Sequence, residues 1–326
     1  MDLSTTYLGL SLKNPIIVAS CGLTKTAEQI KQCEEAGAGA VVMKSLLEEQ
    51  LREVEADLED NLSMHSEVMG YLQADIGMRY GSDTYTDTIE RAKKEVSIPV
   101  IASVNCYTSK WWMNYAKQLE EAGADALELN VYIMPSDFSK SSAELETAYI
   151  EILKAVKAQV TIPVAMKLSP FFTSFGHFVA RLEHYGADGL VLFNRFIQPD
   201  IDISLLATEI KPSFNDPVGL GRSLRWTAML SGTLDLDIAA SGGIRDEKAI
   251  IKLLLAGASA VQIASALYGK NGLAKIQKMV TGLESWMKDK NFSSLSDFAG
   301  RLNQKHNPQS EAYIRAQYIK SIAGIE

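Results

Sequence analysis

The chain has 326 residues, of which 47% are hydrophobic and 22% are charged, and its formal net charge at pH 7 is −8. This composition is typical of a globular protein, and the acidic balance disfavours a broad nucleic-acid surface, which would need clustered Lys and Arg. No apolar run approaches the roughly 18 residues that span a bilayer, and the first residues lack the pattern of a signal peptide. We therefore expect a cytoplasmic protein that binds neither membranes nor nucleic acids.

Along the chain, one phrase recurs four times: EEAGAGAVVMKS, EEAGADALELN, EHYGADGLVLFN and LLAGASAVQIAS. In each copy a helix pattern runs into a glycine, and an apolar strand follows that ends on a polar residue. The glycines (Gly37, Gly123, Gly186 and Gly257) are predicted to end the helices with a positive φ. The strands are apolar on both faces, which is typical of a parallel sheet that helices cover.

Four more strands alternate with these: PIIVASCG, PVIASVN, PVAMKLSP and LDIAASGG. Proline is tolerated at the first residue of a strand because its missing N–H lies outside the ladder. Apolar residues at helical spacing predict helices at about 26–36, 84–96, 111–121, 144–158, 175–185, 223–231, 246–255 and 272–289. Eight alternating units predict an α/β fold of the (β/α)8 TIM-barrel type. A doubly wound open sheet is the alternative, which the lack of a dinucleotide fingerprint disfavours.

Two connections are unusually long, about 46–82 after strand two and about 196–222 after strand six. Both follow carboxyl ends of strands, where barrel enzymes place their active sites, so we expect these loops to cover that face. The alternative is an insertion that only extends the rim. We expect a single domain over 1–326, with a tail at about 301–326 that packs on the outside or on a second subunit.

A phosphate site is predicted where strands seven and eight end. Strand seven ends in Ser241-Gly242-Gly243, and strand eight ends near Ala264-Ser265. Adjacent glycines let backbone N–H groups converge on an anion, and these two loops of a barrel commonly hold phosphate. The alternative is tight packing at the rim.

Charged and amide side chains stand at the ends of other strands. Lys44 and Lys167 end strands two and five, and lysine is rarely interior unless it is paired. A ligand with negative charge would explain both lysines; a Schiff base on Lys167 or an ion pair with Glu128 remain alternatives. Asn105, Asn130 and Asn194 end strands three, four and six and offer amide groups to a planar heterocycle.

The cysteines indicate neither disulfides nor a metal. Cys21, Cys33 and Cys106 are odd in number, far apart and without CxxC spacing. This argues against disulfides, structural zinc and a cysteine-ligated iron–sulfur cluster in this chain.

Over about 1–300, the chain resembles the FMN-dependent dihydroorotate dehydrogenases. The resemblance rests on eight motifs in the order of that family: NPIIVASCG, VVMKS, PVIASVNC, AGADALELN, PVAMKLSP, GADGLVLFN, ASGGIRD and GASAVQIASAL. The barrel domain of dihydropyrimidine dehydrogenases is similar. The resemblance implies FMN across the mouth of the barrel, with Lys167 near N1, where a positive charge stabilises reduced flavin. The FMN-binding residues that it implies are Ala19, Ser20, Cys21, Lys44, Ser45, Asn105, Asn130, Lys167, Gly221, Ser241, Gly242, Gly243, Ala264 and Ser265.

The chain departs from this family pattern on strand four. The family has cysteine or serine as the base that removes a proton from the substrate, and this chain has Ile133, which cannot move a proton. The candidates for a replacement base are Tyr132, Cys106 and His65. The residues that the resemblance implies for substrate binding are Lys44, Glu67, Asn130, Asn194 and Arg195. Of these, Glu67 would repel a carboxylate and Arg195 would attract one.

The resemblance implies an FMN oxidoreductase of pyrimidine metabolism that acts on CH–CH groups. We expect it to exchange hydride at flavin N5 with a small dihydropyrimidine-like substrate or another activated C=C or C=O compound, and not to oxidise dihydroorotate efficiently. The electron acceptor is open, and a homodimer is implied. Two alternatives are a flavin-binding protein without turnover (a carrier, a sensor or a partner subunit) and a barrel aldolase with Lys167 as Schiff base.

Overall fold

The protein forms a closed barrel of eight parallel strands surrounded by helices, as the sequence predicts. The computed structural model describes residues 1–47, 82–105, 109–195, 199–209, 217–268 and 271–314. The strands are β1 (Thr5–Tyr7), β2 (Leu10–Leu12), β3 (Ile16–Val18), β4 (Ala40–Val42), β5 (Leu46–Leu47), β6 (Val100–Asn105), β7 (Ala126–Asn130), β8 (Val164–Leu168), β9 (Gly189–Leu192), β10 (Asp200–Asp202), β11 (Ala207–Glu209), β12 (Asp237–Ser241) and β13 (Ala260–Ile263). The barrel order is β3, β4, β6, β7, β8, β9, β12 and β13, and β13 closes the ring by pairing with β3.

The eight predicted helices are present, and their boundaries agree within about two residues except for the helix predicted at 223–231, which begins six residues earlier at Pro217. The helices of the described residues are α1 (Ala27–Glu35), α2 (Ser82–Glu95), α3 (Ser109–Glu121), α4 (Ser142–Lys157), α5 (Phe175–His184), α6 (Pro217–Leu230), α7 (Glu247–Ala256), α8 (Ala274–Asp289) and α9 (Glu311–Ile314). The four repeated glycines have φ between 90° and 104°. Their predicted role at the ends of helices is therefore confirmed.

The inside of the barrel changes from apolar to polar along the strands. Near the amino ends a small apolar cluster fills it, with Tyr7, Leu8 and Leu12 from the β1–β2 hairpin packed against strand residues that include Ile17 and Ala165. Because side chains on a strand alternate between its faces, residues two positions further along point the same way. On five strands the residue at that position is polar: Ser103, Glu128, Lys167, Ser241 and Gln262. The polar layer lies towards the carboxyl ends of the strands, which is the face that carries the sites of barrel enzymes.

The two long connections differ in how much of them is described. The loop after β4, the second strand of the barrel, lies almost entirely in residues 48–81, outside the described residues. The connection after β9, the sixth strand of the barrel, contains the β10–β11 antiparallel hairpin. Of the predicted tail, residues 301–314 pack on the outside of the barrel, where Leu302 N–H donates to Leu255 O and Gln304 N–H donates to Ala228 O, both at 2.8 Å. Within the described ranges, no helix is long and apolar enough to cross a membrane.

Candidate flavin site

A cavity of about 260 Å³ lies at the carboxyl ends of β3, β8, β9, β12 and β13. We call it the mouth cavity. It brings together ten residues predicted for cofactor or substrate binding: Ala19, Ser20, Lys167, Asn194, Arg195, Ser241, Gly242, Gly243, Ala264 and Ser265. Its lining includes three cationic side chains, Lys167, Arg195 and Arg222, and no described acidic residue. In a chain of net charge −8, this concentration of positive charge selects an anionic ligand.

The loops after β12 and β13 have the geometry of a phosphate cradle. Gly242 and Gly243 have φ of 103° and 70°, a conformation that residues with a Cβ rarely adopt. Asp246 accepts a hydrogen bond from Ala249 N–H at 2.9 Å and so caps α7. Because a carboxylate occupies that helix end, the glycine turn and the Ser265 segment are the parts of this wall that suit a phosphate. The donors and the positive charge therefore fit the ribityl phosphate of FMN.

Lys167 forms an ion pair with Glu128 on the floor of the mouth cavity. Its Nζ donates to Glu128 Oε1 at 3.0 Å and to Gln262 Oε1 at 3.3 Å, and Gln262 Nε2 donates to Glu128 Oε2 at 2.6 Å. Glu128 is 1% exposed and Lys167 is 6% exposed, and Lys167 also lines the cavity. The ion pair that the sequence left as an alternative is thus present, and it engages the amine that a Schiff base would need free.

A chain of hydroxyl groups connects this floor to the opposite wall. Ser103 Oγ donates to Glu128 Oε1 at 3.5 Å and lies 2.8 Å from Ser45 Oγ, which lies 3.0 Å from Ser20 Oγ. Ser45 N–H also donates to Ser20 Oγ at 2.8 Å. Tyr85 fixes this chain from outside the strands, because its hydroxyl donates to Ser103 O and accepts from Ser103 N–H. The network holds Ser20 and Ser45 in one orientation beside the mouth cavity.

The asparagine that ends β7 and the asparagine that follows β9 are hydrogen-bonded to each other. Asn194 Nδ2 donates to Asn130 Oδ1 at 2.6 Å, and Asn194 Oδ1 accepts from Arg195 N–H at 2.8 Å. These contacts fix the orientation of both amides. Among the described residues no acceptor takes the NH₂ protons of Asn130, so this group can donate to a ligand, and Arg195 lines the cavity wall beside it.

Other residues that the resemblance implies lie at the edge of the mouth cavity or outside its lining. Cys21 neighbours Tyr268, a lining residue whose hydroxyl accepts from Gly22 N–H at 2.7 Å. The pKa of Tyr268 is raised mainly by burial of its hydroxyl and, to a smaller extent, by the electrostatic effect of Cys21. Lys44 is exposed after β4, and Asn105 is the last residue of β6. Gly221 lies in α6, where Gly219 is the glycine that lines the cavity.

Ile133 and Tyr132 line a different cavity, of about 510 Å³, between the β7–α4 and β8–α5 loops. We call it the aromatic cavity, and its lining is Tyr132, Ile133, Met134, Pro135, Ser142, Leu145, Glu146, Tyr149, Ser169, Phe171, Phe172, Thr173 and Pro199. Ile133 N–H donates to Tyr149 OH at 3.1 Å. Burial raises the pKa of Tyr132, which makes its phenol a poor base at neutral pH. Of the other residues predicted from sequence, Glu67, His65 and Cys106 lie outside the described residues.

Sequence reasoning did not single out Arg222 and Gln262. Arg222 lies in the first turns of α6 and places its guanidinium 5.8 Å from the centre of the Phe171 ring. The sequence feature that could have identified Arg222 is its position directly after the segment Gly219-Leu220-Gly221. Gln262 is a polar residue inside the apolar strand β13, and the alternation of that strand directs it towards Lys167 and Glu128.

Comparisons with known proteins identify the family of the chain. The sequence model of the dihydroorotate dehydrogenase family matches residues 2–287. Among curated proteins, the catalytic subunit of dihydroorotate dehydrogenase B (NAD(+)) from Pyrococcus abyssi is 28% identical over 91% of this chain and 98% of its own length. The corresponding subunit from Thermoplasma volcanium is 29% identical over 92% and 98%, and that from Methanosarcina mazei is 29% identical over 90% and 93%. The chain therefore belongs to the dihydroorotate dehydrogenase family of oxidoreductases, which are FMN-dependent flavoproteins, and FMN is its cofactor.

Proposed function

We propose that this protein is an FMN oxidoreductase that exchanges a hydride with a small dihydropyrimidine-like or other activated C=C or C=O compound, and that it does not oxidise dihydroorotate efficiently. The observation that carries the proposal is the contrast between two neighbouring sites. The mouth cavity keeps a cationic, glycine-rich lining that suits FMN, whereas the residue at the family's base position is Ile133, which lines the aromatic cavity.

When bound, FMN supplies hydride chemistry, and the residues of this chain hold and orient it. The turn at Gly242 and Gly243 and the hydroxyl of Ser265 hold the phosphate. Lys167 presents positive charge from the floor, and its ion pair with Glu128 keeps that charge in place. Asn130 and Asn194 orient a planar substrate through amide hydrogen bonds, and Arg195 attracts an anionic substituent.

The cradle assignment is tested by two glycine substitutions. Gly242→Ala places a Cβ on a residue with φ of 103°, which costs about 1–2 kcal/mol, so we expect FMN affinity to fall roughly tenfold. Gly9→Ala is the matched control, since Gly9 also has a positive φ, of 71°, and lies in the β1–β2 turn, outside the lining of the mouth cavity. FMN affinity is measured by flavin fluorescence quenching on apoprotein. Equal affinities in both variants would contradict the cradle.

The reaction class is tested by a screen of anaerobic flavin reduction and reoxidation. Dihydroorotate, dihydrouracil and NADH serve as donors, and fumarate, NAD+ and a quinone serve as acceptors. We expect slow or no bleaching by dihydroorotate and faster cycling with another pair. Rapid bleaching by dihydroorotate would overturn the proposal, and a flavin that no pair cycles would favour the carrier or sensor alternative.

The curated relatives suggest how electrons leave the site. Their names describe each as the catalytic subunit of an NAD(+)-linked enzyme. By analogy we propose that a separate electron-transfer chain, or a small acceptor that enters the mouth cavity, reoxidises the flavin. A cytoplasmic location and a homodimer remain predictions.

A further inference from the structure

The aromatic cavity is a second concave site beside the mouth cavity, and the proposed function does not use it. The two cavities share a wall: Phe171 lines the aromatic cavity, and Arg222 lines the mouth cavity. The guanidinium of Arg222 lies 5.8 Å from the centre of the Phe171 ring. Ile133, which lines the aromatic cavity, comes three residues after Asn130. Ser169, which also lines it, comes two residues after Lys167. Its volume of about 510 Å³ lies within the range of small-molecule sites.

The walls of the aromatic cavity favour a flat apolar ligand. The Tyr149 and Phe172 rings meet edge to face with centroids 5.4 Å apart, and Phe172 stacks on Phe178 at 4.3 Å, so this wall is rigid. Ile133 and Leu145 add aliphatic surface. A planar ring packs against such walls with offset or edge contacts that add to the free energy of burial.

Two hydroxyl groups supply the polar part of the site. Tyr149 OH accepts from Ile133 N–H at 3.1 Å, and Ser169 Oγ accepts from Phe171 N–H at 3.2 Å. Both side chains are at most 3% exposed, and the described residues offer neither hydroxyl proton an acceptor. Burial raises the pKa of Tyr149 to about 12, so its proton stays available at neutral pH. A ligand oxygen that accepts hydrogen bonds would satisfy both donors.

The charge of the cavity excludes one class of ligand. Among the described residues that line it, Glu146 is the only charged one, and its Oε2 lies 3.1 Å from Arg181 Nη1. Because Arg181 already pairs with this carboxylate, the described lining gives an anion no cationic partner, whereas the mouth cavity with its cationic side chains attracts one. The two cavities therefore differ in the ligands they can hold.

We propose that the aromatic cavity binds an uncharged planar ring that carries carbonyl oxygens, the class to which quinones and aryl ketones belong, with Tyr149 and Ser169 as the hydrogen-bond donors. Ile133 then serves as part of the wall of this site. Binding does not require hydride exchange, so it is measured on the oxidised FMN-bound protein, and it can succeed or fail independently of the proposed reaction.

The test compares three probes of one shape by saturation-transfer NMR and calorimetry. Duroquinone carries two carbonyl oxygens, durene has none, and 2,3,5,6-tetramethylbenzoate is an anion. We expect duroquinone to bind about tenfold more tightly than durene, because only the quinone pairs the two hydroxyls, and we expect no binding of the benzoate. Equal binding of duroquinone and durene, or binding of the benzoate in this cavity, would overturn the assignment of ligand class.

Matched variants locate the site. Leu145→Trp fills the cavity and is expected to abolish duroquinone binding, whereas Thr147→Trp adds the same bulk on an exposed position of the same helix and is expected to leave it unchanged. Ser142→Trp, at the cavity's edge, repeats the block if Leu145→Trp does not fold. Tyr149→Phe is expected to weaken duroquinone five- to tenfold without affecting durene. Unchanged duroquinone binding in a folded blocking variant would refute the location.

If duroquinone binds as expected, the FMN-bound protein also separates its two possible roles. Anaerobic reoxidation of reduced flavin by duroquinone, lost in Leu145→Trp and kept in Thr147→Trp, identifies the occupant as an electron acceptor. Binding without reoxidation identifies the cavity as a site for a ring that stays unreduced, such as an aryl ketone. Either result supports the ring site, because the site is defined by binding.

Discussion

At the scale of single residues, Ile133 separates this chain from the pattern of its family. Its backbone N–H is held by Tyr149 OH and its side chain lines the aromatic cavity. The position is therefore turned away from the cationic mouth cavity as well as chemically inert. Replacing the side chain of Ile133 alone does not bring this position into the mouth cavity.

The first prediction concerns Ile133→Cys. We expect the variant to gain no anaerobic bleaching by dihydroorotate, because the thiol would lie against apolar walls that raise its pKa and keep it protonated. Stopped-flow absorbance of the flavin measures this, with Ile133→Val as the control for volume. A bleaching rate that rises tenfold or more in the cysteine variant alone would show that the thiol reaches the substrate.

The buried pair of Lys167 and Glu128 carries the second prediction. Glu128→Gln leaves the ammonium of Lys167 without its partner in the interior, which typically costs about 3–5 kcal/mol of unfolding free energy. Urea unfolding of the apoprotein measures the loss, and the double variant Glu128→Gln, Lys167→Met should recover part of it. Because a positive charge near N1 stabilises reduced flavin, the deficit should shrink when the protein is unfolded anaerobically with reduced FMN bound. Equal stability of the single and double variants would contradict the pairing.

At the scale of elements, the repeated phrase explains how helices and strands are joined at the amino end of the barrel. Glu34 at the end of α1 accepts from Ser97 N–H, Ser97 Oγ and Ile98 N–H. Glu120 at the end of α3 makes the same three contacts with Thr161 N–H, Thr161 Oγ1 and Ile162 N–H, at 2.7, 2.6 and 3.1 Å. Each glutamate thus fixes the turn that leads into the next proline-initiated strand.

The third prediction tests one of these joints through pH. The Thr161 hydroxyl, with the two backbone donors, lowers the pKa of Glu120 to about 2. A folded-state pKa below the unfolded value of about 4.5 gives stability that is present above pH 4.5 and is lost as pH falls towards 2. We expect Glu120→Gln to be less stable than the wild type at pH 7 by about 1–3 kcal/mol. The difference in urea midpoints should shrink between pH 4.5 and 2, and a difference independent of pH would contradict the assignment.

The repeated phrase also shows why the fold was predictable and part of the site was not. Helix ends, strand starts and the glycine turns follow from local backbone chemistry, so Gly37 and Gly257 were placed correctly from sequence. The Lys167–Glu128–Gln262 contacts depend on which strands neighbour each other around a closed ring, and they join residues up to 134 positions apart. The side chain of Ile133 depends on packing between two loops, which periodicity does not encode.

At the scale of the whole molecule, the described surface carries one concentrated apolar feature outside the cavities. The β10–β11 hairpin exposes Ile201, Ile203, Leu205 and Leu206 by 67%, 84%, 76% and 88%. Contiguous exposed apolar side chains commonly mark an interaction site. A hairpin that meets its own copy about a twofold axis buries the same residues on both subunits, which is the commonest form of symmetric association.

The last prediction follows from this hairpin. We expect the protein to be a homodimer, and we expect the double substitution Ile203→Asp, Leu206→Asp to convert it to a monomer, because each new carboxylate would have to be desolvated in the interface. Light scattering coupled to size-exclusion chromatography measures the mass, and flavin absorbance checks that the barrel still holds FMN. Phe138→Asp is the matched control, since Phe138 is fully exposed outside the hairpin. A monomeric wild type, or a dimer that survives the double substitution, would exclude the hairpin as the interface. The hairpin follows β9, Asn194 and Arg195 in the sequence. A dimer formed through it would therefore also hold that wall of the mouth cavity in place.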